Sequence, residues 1–184
     1  GAGVVVEAVQ SADRTRRLSA VTFDGAPASV LFEPGDARVA RIFDAALVLA
    51  SADALGGAQY CLDLSVAYAK EREQFGVAIG RFQALKHQLA QMALEVEPAR
   101  ALMWYAAYAW DSQQDDAARA AAMAKAHIAD RYVSVARAAV AAHGGIGYTW
   151  EYSLNTWFRR SLFDRAYLGS PTVHRARAAD LAGW

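Results

Sequence analysis

The stretch of sequence that decides the fold is FQALKHQLAQMALEVEPARALMWYAAYAW, residues 82–110. Its apolar side chains recur at alternating steps of three and four residues, the spacing that places them on one face of an α-helix. The members of this stripe are Phe82, Leu85, Leu89, Met92, Val96, Ala99, Met103, Ala106 and Trp110. Because the stripe runs unbroken for about eight turns, the sequence predicts a long helix whose apolar face must pack against other helices.

A helix of the same kind precedes this stretch. Asp36 can cap its start by accepting hydrogen bonds from the free N–H groups of the first turn, and the pattern ends between Tyr68 and Gly76. The apolar stripe of this helix consists of Phe43, Leu47, Ala50, Ala54, Ala58 and Cys61. We interpret Cys61, on that apolar face, as a small core residue.

A third helix follows the polar run DSQQDD at 111–116, which predicts a turn with acidic caps. The third helix ends at Gly144-Gly145, and its stripe consists of Ala117, Ala121, Ala124, Ile128, Tyr132, Val135 and Ala139. Two shorter helices are expected near 150–164 and 171–182. Since short loops force neighbouring helices to pack antiparallel, the sequence predicts a mainly α fold, an antiparallel four-helix-type bundle.

The first 35 residues have a different character. Short apolar runs at 4–6, 18–23 and 30–32 are separated by Asp24-Gly25 and Pro27, which are strand and turn signals. Three short strands make a poor independent core. We therefore expect residues 1–35 to be the tail of a β-domain and residues 36–184 to form the helical bundle domain.

Composition excludes several classes of function. Nineteen Lys and Arg residues balance nineteen Asp and Glu residues, which removes the electrostatic argument for a nucleic-acid or anionic-membrane partner. The four histidines show no metal-ligand spacing, and the single cysteine fits a reducing compartment. The beginning of the chain has no signal-peptide pattern and no apolar run is long enough to span a membrane, so a cytoplasmic location is expected.

Two motifs are more specific than the periodic spacing of a helix would explain. They are REQFGVAIGRFQ at 72–83 and HGGIGYTWE at 143–151, and each follows the end of a predicted helix. Together they resemble the acyl-CoA dehydrogenase family, whose C-terminal helical domain has an Arg-x-x-Phe-Gly...Phe-Gln element after its first helix and a Gly-Gly-x-Gly-aromatic element after its third. The resemblance extends from Leu18 to the end of the chain.

The resemblance implies that FAD and an acyl-CoA thioester are bound in an oligomer. Matched to the family, Arg72, Gln74 and Phe75 would reach the FAD of a neighbouring subunit, with Gln83 near the cofactor. A guanidinium can hold the FAD pyrophosphate by paired charge-assisted hydrogen bonds. The alternative for Arg72 is a surface arginine favoured by the helix dipole.

The glycine pair and an aromatic-acid pair complete the implied sites. Gly144 and Gly145 would let backbone N–H groups approach the same pyrophosphate, although a helix cap would also suit them. The family commonly has a glutamine three residues before the first glycine, and this chain has Ala141. Phe43-Asp44 matches a pair that lies over the CoA thioester arm, and a core Phe beside a solvated Asp is the alternative.

The family also implies a catalytic base that this chain lacks at both expected places. The glutamate that removes the α-proton of the substrate would fall on Leu168 or on Ala46, and neither residue can accept a proton. Asp164 and Glu151 are the nearest carboxylates in sequence, and each is more simply a solvated helix charge. The catalytic residue therefore remains unknown.

Three functions stay open. The first is an FAD-dependent acyl-CoA dehydrogenase that makes a trans-2-enoyl-CoA and passes electrons to an acceptor flavoprotein. The second is a silent subunit that completes the FAD site of a partner in a homo- or hetero-oligomer, a dimer or tetramer. The third is a bundle kept for protein contact alone.

Overall fold

The computed structural model describes residues 2–184, and most of this part of the chain is helical. Its α-helices are α1 Ala37–Glu71, α2 Gln83–Asp111, α3 Ala117–His143, α4 Leu154–Ala166 and α5 Pro171–Asp180. Consecutive long helices are joined by short connections and pack side by side. The predicted mainly α bundle is confirmed.

The helix boundaries show which capping predictions hold. The Asp36 carboxylate accepts a hydrogen bond from the Arg38 N–H at 2.8 Å, as expected for the cap of α1. Asp116 at the start of α3 makes no side-chain cap. Its carboxylate accepts a hydrogen bond from the Tyr105 hydroxyl at 2.9 Å instead, so the expected acidic cap of α3 is wrong at this residue.

The core is organised around α3, which contacts each of the other four helices. Its predicted stripe is buried apart from the half-buried Ala117, and Tyr132 and Ile128 are at most 1% exposed. Cys61 of α1 is fully buried against it, as predicted, and burial raises the pKa of the Cys61 thiol to about 12. Small residues at the contact let α1 approach α3 closely.

Gly57 shows how tight this contact is. A Cβ added there would lie 2.4 Å from the Tyr132 ring, whereas a Cβ on its neighbour Gly56 would meet nothing within 4 Å. We expect Gly57→Ala to lower the free energy of unfolding by about 1–3 kcal/mol through overpacking. The matched change Gly56→Ala should raise it by about 0.5–1 kcal/mol, because alanine is the better helix former. Urea denaturation of both variants checks this, and effects of the same sign would contradict the contact.

The N-terminal segment is a hairpin. Strands β1 Val4–Val9 and β2 Leu18–Phe23 pair antiparallel, with Val4 opposite Phe23 and Val9 opposite Leu18. The strand expected at 30–32 is not formed: Val30 and Leu31 are 77% and 82% exposed. A strand needs a neighbour, and within residues 2–184 no strand lies beside this segment. The division of the chain at residue 35 remains a prediction.

No helix among the described residues 2–184 is both long enough and apolar enough to cross a membrane.

Candidate cofactor and substrate sites

The two sequence motifs lie at the same end of the bundle. The Tyr68 and His143 rings stack with their centroids 4.3 Å apart. Tyr68 is one turn before Arg72, whose N–H donates to the Tyr68 carbonyl at 2.8 Å, and His143 directly precedes Gly144. The C-terminus of α1 and the C-terminus of α3 are therefore neighbours.

A small hairpin connects α1 to α2 at this end. Its strands are β3 Glu73–Gln74 and β4 Val77–Ala78, and Phe75 and Gly76 form the turn with φ of 56° and 75°. A left-handed φ costs a non-glycine residue about 1–2 kcal/mol, yet Phe75 adopts it and is 91% exposed. Its only aromatic neighbour among residues 2–184 is Phe82, edge-on at 6.0 Å between centroids. The turn presents this ring to the surroundings rather than to the core.

The polar side chains predicted to bind the cofactor are also exposed and are not used to hold the bundle together. The Arg72 side chain is exposed, and no carboxylate within residues 2–184 forms an ion pair with it. Gln74 is exposed and its amide donates only to the Glu73 carbonyl, at 2.9 Å. Gln83 is the exposed first residue of α2. None of these side chains supports the bundle.

Whether packing within the bundle requires these glycines can be judged from what an added Cβ would contact. A Cβ on Gly147 would lie 2.6 Å from the Val140 carbonyl oxygen, so that glycine is required by the fold. A Cβ on Gly144 or Gly145 would meet nothing within 4 Å. Gly144 has a φ of 65° that favours glycine. At Gly145 neither a positive φ nor a neighbouring atom among residues 2–184 requires a glycine. The open diglycine turn and the unpaired Arg72 guanidinium fit an approaching anion such as the pyrophosphate of FAD.

Phe43 and Asp44 lie at the other end of α1. Asp44 and Arg72 are separated by 28 residues of one helix, which is about 42 Å at 1.5 Å per residue. Asp44 is 6% exposed and pairs with Arg177 of α5 at 2.6 Å, while Phe43 is 38% exposed. The alternative of a core Phe beside a solvated Asp is therefore wrong. The residues predicted for the cofactor and those predicted for the substrate therefore lie at opposite ends of α1.

A pocket of about 580 Å³ opens near the start of α1. It brings together Ala46 of α1 and Leu168, the two positions at which the family pattern expects the base. Leu168 has a left-handed φ of 61°, and its carbonyl accepts a hydrogen bond from His174 Nε2 at 2.9 Å. The remaining lining residues are Arg16, Arg17, Leu18, Leu49, Ala50, Asp53, Phe163, Asp164 and Tyr167.

A cluster of charges forms one wall of this pocket. Asp164 of α4 is only 3% exposed, so its interpretation as a solvated helix charge is wrong. Arg16 Nη2 donates to Asp164 Oδ1 at 2.9 Å and also binds Asp53. Arg160 donates twice to the Asp53 carboxylate, its Nε at 3.2 Å from Oδ2. Glu151, the other carboxylate considered, is exposed.

The two carboxyls of this cluster have opposite pKa shifts. Burial, together with the negative charge of Asp53, raises the pKa of Asp164 to about 7. Burial acts in the same direction on Asp53, but the hydrogen bonds from Arg160 and Arg16 outweigh it and lower the pKa of Asp53. Asp53 thus remains a carboxylate while Asp164 titrates near neutrality.

Lys125 was not foreseen from the sequence. It is 1% exposed, and its Nζ donates to the backbone carbonyl of Asp164 at 2.6 Å. Burial lowers the pKa of the Lys125 ammonium. The sequence did contain a signal for these buried charges, namely one charged residue inside an otherwise mostly apolar stretch. Examples are Lys125 in AAMAKAHIA and Asp53 in LASADALGGA. A charge buried in this way needs a partner.

No group of three or more His, Cys, Asp or Glu side chains in the described part of the chain is arranged to hold a metal ion.

Comparisons with known proteins agree with this architecture. The family described as "Acyl-CoA dehydrogenase, C-terminal domain" matches residues 36–182. Acyl-CoA dehydrogenase IpdE2 of Mycolicibacterium smegmatis is 38% identical over 159 residues, which cover 86% of this chain and 47% of that protein.

Solved structures give the same result. Butyryl-CoA dehydrogenase from Megasphaera elsdenii superposes with a TM-score of 0.92 at 25% identity, covering 100% of this chain and 49% of that one. The Tcur3481-Tcur3483 steroid ACAD has a TM-score of 0.90 at 31% identity, with 99% and 49% covered. The chain therefore belongs to the acyl-CoA dehydrogenase family. It corresponds to the C-terminal domain and spans about half the length of these relatives.

Proposed function

We propose that this chain is the C-terminal part of an FAD-dependent acyl-CoA dehydrogenase, which converts an acyl-CoA thioester to a trans-2-enoyl-CoA. Family membership supports the class of reaction. The observation that carries the proposal is the bundle end where Arg72 has no ion-pair partner within residues 2–184 and Gly145 has no packing reason to be a glycine. Both are explained by a dinucleotide from outside the chain.

The cofactor at this end would belong mainly to a neighbouring subunit. Arg72 would hold the pyrophosphate by paired hydrogen bonds, and the N–H groups of Gly144 and Gly145 would face the same anion. Phe75 would pack on the adenine or ribose, with Gln74 and Gln83 beside the cofactor. Ala46, in the pocket, and Arg72 are 26 residues apart, about 39 Å at 1.5 Å per residue. This is farther than an extended dinucleotide reaches, so one FAD cannot serve both ends of one chain.

The pocket at the start of α1 would hold the reacting part of the substrate. Bound FAD supplies the two-electron acceptor for the β-hydrogen and its electron pair. The chain contributes an apolar lining, through Leu49, Phe163 and Leu168, that excludes water from the acyl group. Phe43 and Asp44, fixed by Arg177, would lie along the CoA thioester arm. An electron-acceptor flavoprotein would reoxidise the assembly, and a cytoplasmic location fits the unpaired Cys61.

A silent subunit is the second candidate, and the side chains of Ala46 and Leu168 favour it. Neither can take a proton, and a positioned general base contributes about 10² to 10⁴ in rate. Such a subunit would keep the Arg72 end for its partner's FAD and do no chemistry in its own pocket.

One experiment tests both candidates. The full-length protein, purified with its associated chains, is titrated anaerobically with butyryl-CoA, octanoyl-CoA, palmitoyl-CoA and a CoA thioester carrying a steroid ring, while the visible flavin absorption is recorded. Bleaching by one of them supports the enzyme. Retained FAD without bleaching by any of them supports the silent subunit, and absence of FAD from the assembled protein contradicts both.

A further inference from the structure

We propose that His174 is a positioning residue of the acyl pocket, whose imidazole holds the turn carrying Leu168 in the conformation that forms one wall of that pocket. The inference rests on the proposed dehydrogenase function and adds to it a residue that shapes the pocket around the acyl group.

The turn between α4 and α5 forms this wall. Tyr167 and Leu168 line the pocket together with Ala46 of α1. Leu168 and Gly169 both have a left-handed backbone, with φ of 61° and 108°. This conformation suits glycine but is unfavourable for leucine, and backbone strain of this kind clusters at ligand-binding and catalytic sites. The turn therefore needs a contact that keeps Leu168 in place.

His174 supplies that contact. It lies in α5 and is 1% exposed, and its Nε2 donates to the Leu168 carbonyl at 2.9 Å. Because a carbonyl can only accept a hydrogen bond, Nε2 carries the proton and Nδ1 does not. Nδ1 is buried without a hydrogen-bond partner among residues 2–184. Burial lowers the pKa of His174, which keeps the imidazole neutral and leaves Nε2 as its only donor.

The turn and the imidazole fit closely together. A Cβ added to Gly169 would lie 2.9 Å from His174 Nε2, so the chain passes next to the nitrogen that donates. The His174 ring also stacks on Phe43, with the centroids 6.3 Å apart. Phe43 is the residue proposed to lie along the thioester arm. One buried ring thus contacts both parts of the proposed substrate site.

Attachment of α5 to the bundle does not depend on the His174 hydrogen bond. Arg177 pairs with Asp44 of α1, and Arg175 pairs with Asp130 of α3. The hydrogen bond from His174 goes to the turn instead of to another helix. Its loss should therefore change the shape of the pocket more than the stability of the bundle.

The expected consequence concerns the acyl group rather than CoA. Leu168 belongs to the apolar lining proposed to exclude water from the acyl group. Without its donor, the Leu168 carbonyl no longer favours the left-handed backbone, and the Leu168 side chain is released from the wall. The acyl group would then lose apolar contact that CoA alone does not use.

The test measures how much the acyl group contributes to binding. The full-length assembled protein, with its flavin kept reduced by dithionite so that the thioester is not oxidised, is titrated by calorimetry. The ligands are CoA and the thioester of the panel above that binds the wild type most tightly. We expect His174→Leu to lower the preference for the thioester over CoA about tenfold, since a buried carbonyl left without a donor costs a comparable free energy. The dissociation constant of CoA should be unchanged.

Two further variants serve as controls. The amide nitrogen in His174→Gln is as many bonds from the backbone as Nε2 and can donate to the same carbonyl, so the preference should return to the wild-type value. His127→Leu makes the same change to an imidazole that also lies beside α5 but lines a different pocket, and the preference should not change. If His174→Leu fails to assemble, His174→Asn takes its place, because its amide is one bond too short to reach the Leu168 carbonyl.

A preference for the thioester that stays at the wild-type value in His174→Leu would overturn the assignment. Equal losses of CoA and thioester affinity would also overturn it, because they indicate a general structural role. The same holds if His174→Gln binds like the leucine or asparagine variant, or if the wild type binds CoA as tightly as every thioester. The dehydrogenase proposal fails separately, when no thioester of the panel bleaches the wild-type flavin, and the two dissociation constants can be measured in that case as well.

Discussion

Tyr132→Ala should lower the free energy of unfolding by about 3–5 kcal/mol, the usual cost of deleting a large buried aromatic side chain. Tyr132 is fully buried in the middle of α3. Its ring fills the space left by Gly57 of α1, and its hydroxyl donates to the Trp157 carbonyl of α4 at 3.1 Å. One side chain therefore joins three helices. Chemical denaturation with a two-state fit measures the effect.

Tyr132→Phe separates the ring from its hydroxyl. This variant keeps the packing and loses one hydrogen bond, so its cost should be about 1 kcal/mol. Equal losses for the alanine and phenylalanine variants would show that the hydroxyl, rather than the packed ring, holds the helices together.

Arg72→Ala should weaken retention of FAD by the assembled protein by about 10- to 100-fold. Hydrogen bonds to charged groups contribute about 1.5–3 kcal/mol, and every 1.4 kcal/mol is about tenfold in a dissociation constant. The guanidinium has no ion-pair partner within residues 2–184 that its loss would expose, so the bundle itself should keep its stability. Flavin released on dilution, followed by fluorescence, gives the dissociation constant.

Lys70→Ala is the control for Arg72. It removes the same charge two residues earlier in the chain. The Lys70 side chain lines the groove between α1 and α2, away from the residues proposed for the cofactor. FAD retention should stay at the wild-type value. An Arg72 variant that holds FAD as tightly as the Lys70 variant would contradict the cross-subunit contact.

The helices could be predicted because their periodicity is local information. The stripes of α2 and α3 follow from steps of three and four residues, and breaks such as Gly144 and Pro171 are visible in the sequence itself. The third expected strand could not be judged in the same way. Strand formation depends on a neighbouring strand, and Val30 to Phe32 have none within residues 2–184.

The candidate site was predicted only in part, for a related reason. Motif residues such as Arg72 and Gly144 could be recognised by resemblance, and their meeting at one end of the bundle follows from the packing of α1 on α3. The pairing of Asp53 with Arg16 and Arg160 joins residues 37 and 107 positions apart. Without that pairing, Asp164 resembles any charged residue on a short helix, and neither its burial nor its raised pKa can be inferred.

The two proposed sites lie at opposite ends of helix α1, and this would determine how defects in them combine. In an assembly of the proposed kind, each copy of α1 belongs to two half-sites, one around its own thioester and one around its neighbour's flavin. A dimer of one chain damaged at Arg72 and one damaged at Asp44 would then retain one site built wholly from undamaged ends. A mixed dimer can therefore contain one intact site although neither of its two polypeptides is intact.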